Sequence, residues 1–394
     1  MRRINSYVVN GTKALDLVTL ANSLLPEGGA SGRVERAALL AAQAEYGINS
    51  ARAEERRPLL CSTYTSASPR VLESLYANMK QLGSGCDWAV ILYKVPEDPY
   101  VLRAFKRNVT DTLPQTRIVY MKPAPDRPQL VQRYMQTARR NHSFFRRRYD
   151  SEDPSTWIFN GVAYPKPLLF LQLLPILASY NRVWLLDDDI SLESFELSEF
   201  LRIWDCAFAP DPAPLITQPL LSPSSKLYPF LGEAGWKDEF KATGTRTLAA
   251  GAGFIEIQAP LMDAAFFSWF LRFLVVPMVA PLHVTGADWG FDDLFCAAAD
   301  NFWRIGGVGR GDAAKKPSAT SVPCAVLVGG STMRHLDHGA LGAAIGKAPK
   351  WYLNHEMLAM VIKTFPSFFH KGFLSTIASP LNTTVLKRVN VGKC

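Results

Sequence analysis

The chain lacks several features that would settle its class at once. Its six cysteines, in 394 residues, never fall in Cys-x-x-Cys spacing, which argues against a zinc site. No unbroken apolar run is long enough to span a bilayer. The most apolar stretch, Phe266 to Leu282, is interrupted by Arg272 and two prolines and reads as buried core. The opening MRRINSYVVNGTKALDLVTLA has no apolar segment of the kind a signal peptide needs. Membrane association would therefore depend on an anchor absent from this sequence. There is no internal repeat and no nucleic-acid motif. The net charge of +8 is spread out, and its densest patch, Arg139 to Arg148, reads as solvated surface. Nucleic acid is not expected as a partner, whereas a small anionic ligand suits the charge.

What is present describes a globular protein. Hydrophobic residues make up 48% and charged residues 20%, enough apolar material for a sizeable core. The even cysteine count permits disulfides without assigning them. Four glycosylation sequons, at Asn10, Asn108, Asn141 and Asn382, hint at the secretory lumen, Golgi or endoplasmic reticulum. The missing leader leaves the cytoplasm open.

Residues 1–56 read as an Ala-rich helical lead-in. Pro58 to Tyr64 is a buried strand. SASPRVLESLYANMKQLG then offers Ser68 as N-cap, Pro69 at the first helical position, and Leu72, Leu75, Tyr76 and Met79 at helical spacing. Asp87 to Tyr93 is a second strand, so the order predicts a right-handed βαβ unit. Arg117 to Pro123 is a third strand. A buried helix from Lys166 ends or kinks near Pro175. Further strands are expected at Leu215–Pro219, Phe254–Ile257 and Ala325–Val328, with a long apolar helix from Pro260 and another opened by Asp288 to Asp293. Residues 341–394 read as a helical extension. The class is α/β, with a single continuous mixed sheet flanked by helices.

The informative segment is YNRVWLLDDDISLESF, Tyr180 to Phe195, where a buried strand runs into Asp187, Asp188 and Asp189. In open α/β sheets ligands bind at the carboxyl ends of strands. Three clustered carboxylates repel one another and call for a cation. Oxygen ligands favour Mg²⁺ or Mn²⁺, which bind substrate phosphates. The plainer reading is a solvated turn in which Asp189 caps the following helix.

Two enzyme classes place Asp-x-Asp after an apolar strand. GT-A glycosyltransferases bridge it through metal to a sugar nucleotide. Haloacid-dehalogenase-like phosphatases use the first Asp as nucleophile, and Asp187-x-Asp189-x-Ser191 roughly fits. The phosphatase motif belongs in a domain's first strand, whereas this one follows a βαβ unit, as a GT-A sheet requires. A carbohydrate-binding relative without turnover is the non-enzyme alternative. A glycosidase, with two carboxylates across a cleft, fits poorly.

Four blocks in order carry a resemblance. They are AYPKPLLFLQLLPILASYNRVWLLDDDISLESF, GFIEIQAPLMDAAFFSWF, ADWGFDDLFCAAA and CAVLVGGSTMRHLDHG. Through Lys166, Tyr180, Asp187–Asp189, Phe254, Glu256, Ile257, Ala259, Pro260, Trp289, Gly290, Asp292, Cys296 and His335 the chain resembles the family known as domain of unknown function 707, from plants and fungi. Asp188 stands where that family often has Glu, and the segment from Ile305 to Pro323 is a loose insert. The resemblance implies a GT-A-like, metal-dependent glycosyltransferase domain over 57–340, moving a sugar from a nucleotide-sugar donor to a glycan or other hydroxyl acceptor.

Chemistry then suggests roles. Asp187, Asp189 and a late His335 would hold the metal, Asp189 most directly, with His338 a substitute for His335. Ser62, Thr63, Lys166, Asp187 and Asp188 would meet the donor, with Lys166 or Arg182 neutralising phosphate. Asp292 is suited to general base, although a carboxylate at a helix start is also favoured by the dipole. Asp293 competes with it. Glu256, mid-strand in apolar company, would face the acceptor. Trp289 would stack a sugar ring or fill core.

Overall fold

In a computed structural model of the chain, the described residues are 7–9, 57–65, 68–93, 99–113, 116–120, 165–208, 213–222, 247–279, 282, 290–307, 322–327, 332–336, 358, 361–362 and 388–390. The first βαβ unit forms as its pattern requires. Strand β2 (Arg57–Thr65) leads to helix α1 (Pro69–Leu82) and returns as β3 (Asp87–Leu92), parallel to β2. Ser68 sits at the N-cap position, with Pro69 next, though its hydroxyl makes no capping bond. The helix closes on Gly83, whose φ of 52° is left-handed and favours glycine. Helix α2 (Pro99–Thr112) carries the chain to β4 (Arg117–Tyr120), parallel to β3.

The chain then crosses to the other side of β2. Helix α3 (Lys166–Phe170), a 3₁₀ turn (Leu171–Leu173) and α4 (Leu174–Leu177) form the expected broken helix. The break falls where the Pro175 ring displaces the carbonyl four residues back. Strand β5 (Tyr180–Leu186) lies parallel to β2 on the side away from β3. Strand order therefore reverses between β2 and β5, and the crevice beyond their carboxyl ends is a topological switch point.

The sheet continues through β7 (Ile216–Pro219), β8 (Thr247–Gly251), β9 (Leu261–Asp263) and β10 (Cys324–Leu327). Strand β9 is wedged antiparallel between β5 and β7. Strands β1 (Tyr7–Val9) and β12 (Arg388–Asn390) close the edges, giving the order β1-β4-β3-β2-β5-β9-β7-β10-β8-β12. The α/β class and the continuous mixed sheet flanked by helices are as the sequence predicts. Beside it stands a separate ribbon of β6 (Ile190–Ser191) and β11 (Arg334–His335). The lead-in contributes β1 and the C-terminal extension β12. Their expected helices lie outside the described residues, apart from a fragment around Leu358 to Ile362.

Each face of the sheet has its own core. Helices α1, α2 and α5 (Leu197–Cys206) cover one face. Helices α3, α4, α6 (Ala264–Phe270) and α7 (Asp292–Gly307) cover the other. Cover on both faces is why β5 reads as an unbroken apolar run. Trp184 stacks on Phe200 at 6.0 Å and donates to the Ala259 carbonyl at 3.1 Å.

Two expected elements differ. Phe254–Ile257 is not a strand: the Glu256 amide donates to the Gln218 side chain at 2.9 Å, and the Gln258 amide to the Glu256 carboxylate at 2.8 Å. Side chains take the bonds a ladder would use. The apolar helix starts later than Pro260, because Leu261–Asp263 joins the sheet and Asp263 caps α6 through the amides of Ala265 and Phe266, both at 2.9 Å. Residues 266–271 are then wholly buried, as expected of core. No helix among the described residues is long and apolar enough to cross a membrane. A disulfide joins Cys296 of α7 to Cys324 of β10, while Cys61 and Cys86 are free and buried.

Candidate active site

The acid run is a tight turn at the switch point. The Ile190 amide donates back to the Asp187 carbonyl at 3.3 Å, folding the three aspartates over the end of β5. The chain leaves as β6 and pairs with β11, and the Leu336 amide binds the Asp189 carbonyl at 2.7 Å. Buried Asn78 of α1 clamps the ribbon from below. Its amide donates to the Ile190 carbonyl at 2.7 Å and its oxygen accepts from the Leu192 amide at 2.9 Å. Helix α5 begins only at Leu197, so Asp189 does not cap it.

The three acids face different surroundings. Asp187 accepts from Lys166 Nζ at 2.7 Å on one oxygen and from the Tyr64 hydroxyl on the other. Lys166 is 6% exposed and lies over the Tyr64 ring, 5.6 Å from its centre. Asp188 bonds Thr65. Burial first, then the charges of Asp189 and Asp187, push its carboxyl up to about 7. Asp189 turns to the ribbon, with Oδ2 3.2 Å from His335 Nε2.

A second carboxylate group closes in from β9 and α7. The antiparallel register of β5 and β9 runs past their named ends. The Leu185 amide donates to the Pro260 carbonyl at 3.0 Å and the Asp187 amide to the Gln258 carbonyl at 2.8 Å. Gln258 therefore stands opposite Asp187, on the Lys166 face of the sheet. Glu256, 6% exposed, lies in the field of Lys166, Asp292 and Asp187. Burial drives its carboxyl well above the usual range, against the pull of Lys166. Asp292 is also raised by burial, but less freely. It accepts from the Gly290 amide at 3.0 Å, and its own and Asp293's amides favour its charge. Gly290, at φ 98°, makes that turn. Asp293 is pushed to about 8 by burial and then by Asp292.

The structure thus brings together Lys166, Asp187, Asp188, Asp189, His335, Glu256, Asp292 and Asp293. Other candidates fall elsewhere. Ser62 and Thr63 are 2% exposed within β2, below the residues that reach the turn, Tyr64 and Thr65. Arg182, five residues back along β5, pairs with Asp205 and lies 4.3 Å over the Trp204 ring. Trp289, His338 and the basic patch of 139–148 lie outside the described residues. Among residues the sequence did not single out, Tyr64, Thr65, Asn78, Gln218 and Gln258 shape the site. Polar residues inside apolar elements were their only signal.

No group of three or more potential ligands is arranged for a metal among the described residues. Asp189 and His335 are side by side, but Asp187 is neutralised by Lys166. A hard divalent ion that keeps its waters needs only one or two protein ligands, and the Asp189–His335 pair fits that demand.

No protein-family model and no curated protein matches the chain. Among solved structures it is similar to an apo structure of the bifunctional glycosyltransferase WbbM, at 10% identity and a TM-score of 0.26, covering 76% of this chain and 51% of that one. A likeness at that level carries no weight for function, which rests on the site itself.

Proposed function

We propose that the chain is a metal-dependent glycosyltransferase of GT-A type, moving a sugar from a nucleotide-sugar donor to a hydroxyl acceptor. The observation that carries this is the Asp189–His335 pair, 3.2 Å apart, on a ribbon at the switch point, with buried carboxyls Glu256 and Asp292 grouped around Lys166. Asp189 and His335 would hold Mn²⁺ or Mg²⁺, which when bound supplies charge for the departing diphosphate. Lys166 and Tyr64 fix Asp187, so the turn has one anchored end and one end open to ligand. Glu256 or Asp292 supplies the basic oxygen for the acceptor proton. The four sequence blocks that resemble domain of unknown function 707 point to the same reading. The Cys296–Cys324 disulfide and the sequons favour an oxidising, secretory compartment.

The test is thermal unfolding with UDP and GDP, each with and without Mn²⁺. The wild type is expected to gain stability only with metal and nucleotide together, and Asp189→Ala and His335→Ala to lose that gain. Equal gains in wild type and variants would sink the metal assignment. Release of phosphate from an aryl phosphate through a phosphoaspartate at Asp187 would favour the phosphatase instead. Both oxygens of Asp187 are already engaged, which disfavours that outcome.

A further inference from the structure

The surroundings of Lys166 are rich in acceptors. Lys166 is spent on Asp187, while Glu256 and Asp292 add two more carboxyls close by. Gln258 is 4% exposed, and its side-chain oxygen has no hydrogen-bond partner among the described residues. An unmatched buried acceptor carries an uncompensated desolvation penalty, and a ligand's hydroxyl would relieve it. The backbone that presents it is fixed in three places. Gln218 holds the Glu256 amide, Glu256 holds the Gln258 amide, and the Gln258 carbonyl receives the Asp187 amide.

We infer that Gln258 and Glu256 form the acceptor subsite, taking a neutral sugar hydroxyl: Gln258 receives its hydrogen bond and Glu256 its proton. The proton step rests on the transferase reading; the binding of a neutral glycan does not. In the reaction the acceptor oxygen bonds to the anomeric carbon as the bond from that carbon to the diphosphate oxygen breaks. The nucleoside diphosphate leaves with the electron pair and the hydroxyl proton passes to Glu256. Asp292, held by backbone amides, positions the start of α7. Burial raises the Glu256 carboxyl, which makes its ionised form a stronger base for that proton, and Lys166 opposes the rise.

The experiment compares the full chain with Gln258→Leu and the similarly sized Gln258→Met. Each is applied to a printed array of neutral, amino and acidic glycans, and each is melted with UDP and Mn²⁺. Wild type should retain neutral glycans. Gln258→Leu should lose that signal at least tenfold, keep the UDP–Mn²⁺ gain, and melt no lower than wild type when empty. Should Gln258→Leu fold poorly, Gln258→Met, which also lacks the accepting oxygen, carries the same comparison, with retention again expected to fall. Unchanged retention in a folded variant, or a wild type that retains no neutral glycan, overturns the subsite. Absence in wild type of a gain with either UDP–Mn²⁺ or GDP–Mn²⁺, with Gln258-dependent glycan retention, sinks the transferase reading and leaves the subsite standing.

Discussion

Asp187 and Asp189 are two residues apart and share one turn, yet they are built for different work. Asp187 lies on the core side, with a buried ammonium and a phenol on its two oxygens. Asp189 lies on the ribbon side, next to an imidazole that can exchange it for a ligand. A carboxylate whose counter-ion is covalently part of the fold is structural. One whose neighbour is another potential ligand can accept a cation. The contrast teaches that the acids of an Asp-x-Asp run are not equivalent; each takes its character from its own partners.

The contrast can be broken most forcefully at Lys166. Lys166→Met should cost about 3–5 kcal/mol by urea unfolding, since it leaves Asp187 buried without its cation. Adding Asp187→Leu should recover most of that loss; if it does not, the pair is not what holds this side. A smaller effect is expected from Asp293→Asn. The Asp293 carboxyl is raised from an ordinary 3.8 to about 8, so the folded state holds a proton that the unfolded state releases. Its contribution is level below the lower value, falls as pH rises between the two, and is level again above the upper one. The substitution should flatten that fall, with a gain on the order of 2 kcal/mol at alkaline pH and none in acid. Unfolding at both ends of the window checks it. Tyr64→Phe should cost about 1 kcal/mol, one hydrogen bond to a charged group being lost from an otherwise intact pair. Asp189→Asn should change the metal-free stability by less than about 1 kcal/mol. Its large effect should appear only as loss of the metal-linked gain with nucleotide. A stability cost as large as that of Lys166→Met would erase the distinction between the two sides.

The parts of this arrangement legible in the sequence are those written in local pattern. Pro69 and the spacing of Leu72, Leu75 and Met79 announced α1, and the apolar run ending at Asp187 announced β5 and the turn. Pairings were not legible. Lys166 read as a phosphate binder because nothing in a linear chain places it against Asp187, 21 residues on. Glu256 read as a strand residue because Phe-Ile-Glu-Ile has strand chemistry. The side-chain oxygen of Gln218, from another strand, accepts the Glu256 N–H that would have continued the ladder. Ser62 and Thr63 read as donor contacts from their residue type, whereas both are buried within β2, which runs to Thr65.

One reversal in the sheet has a consequence for how such a protein can diversify. Because β9 runs against β5, it enters the sheet at the site and leaves at the far side. Its approach, Glu256 to Gln258, lines the site as the end of a short connection from β8, which is itself paired in the sheet. Residues added at exposed Gly253 within that connection, where a Cβ would meet nothing within 4 Å, would remodel what the site admits at a loop-closure cost that grows only slowly with length. The Asp189–His335 ribbon, tied to α1 through Asn78, would not move. Recognition of one substrate could thus drift across descendants while the machinery for the other is inherited unchanged.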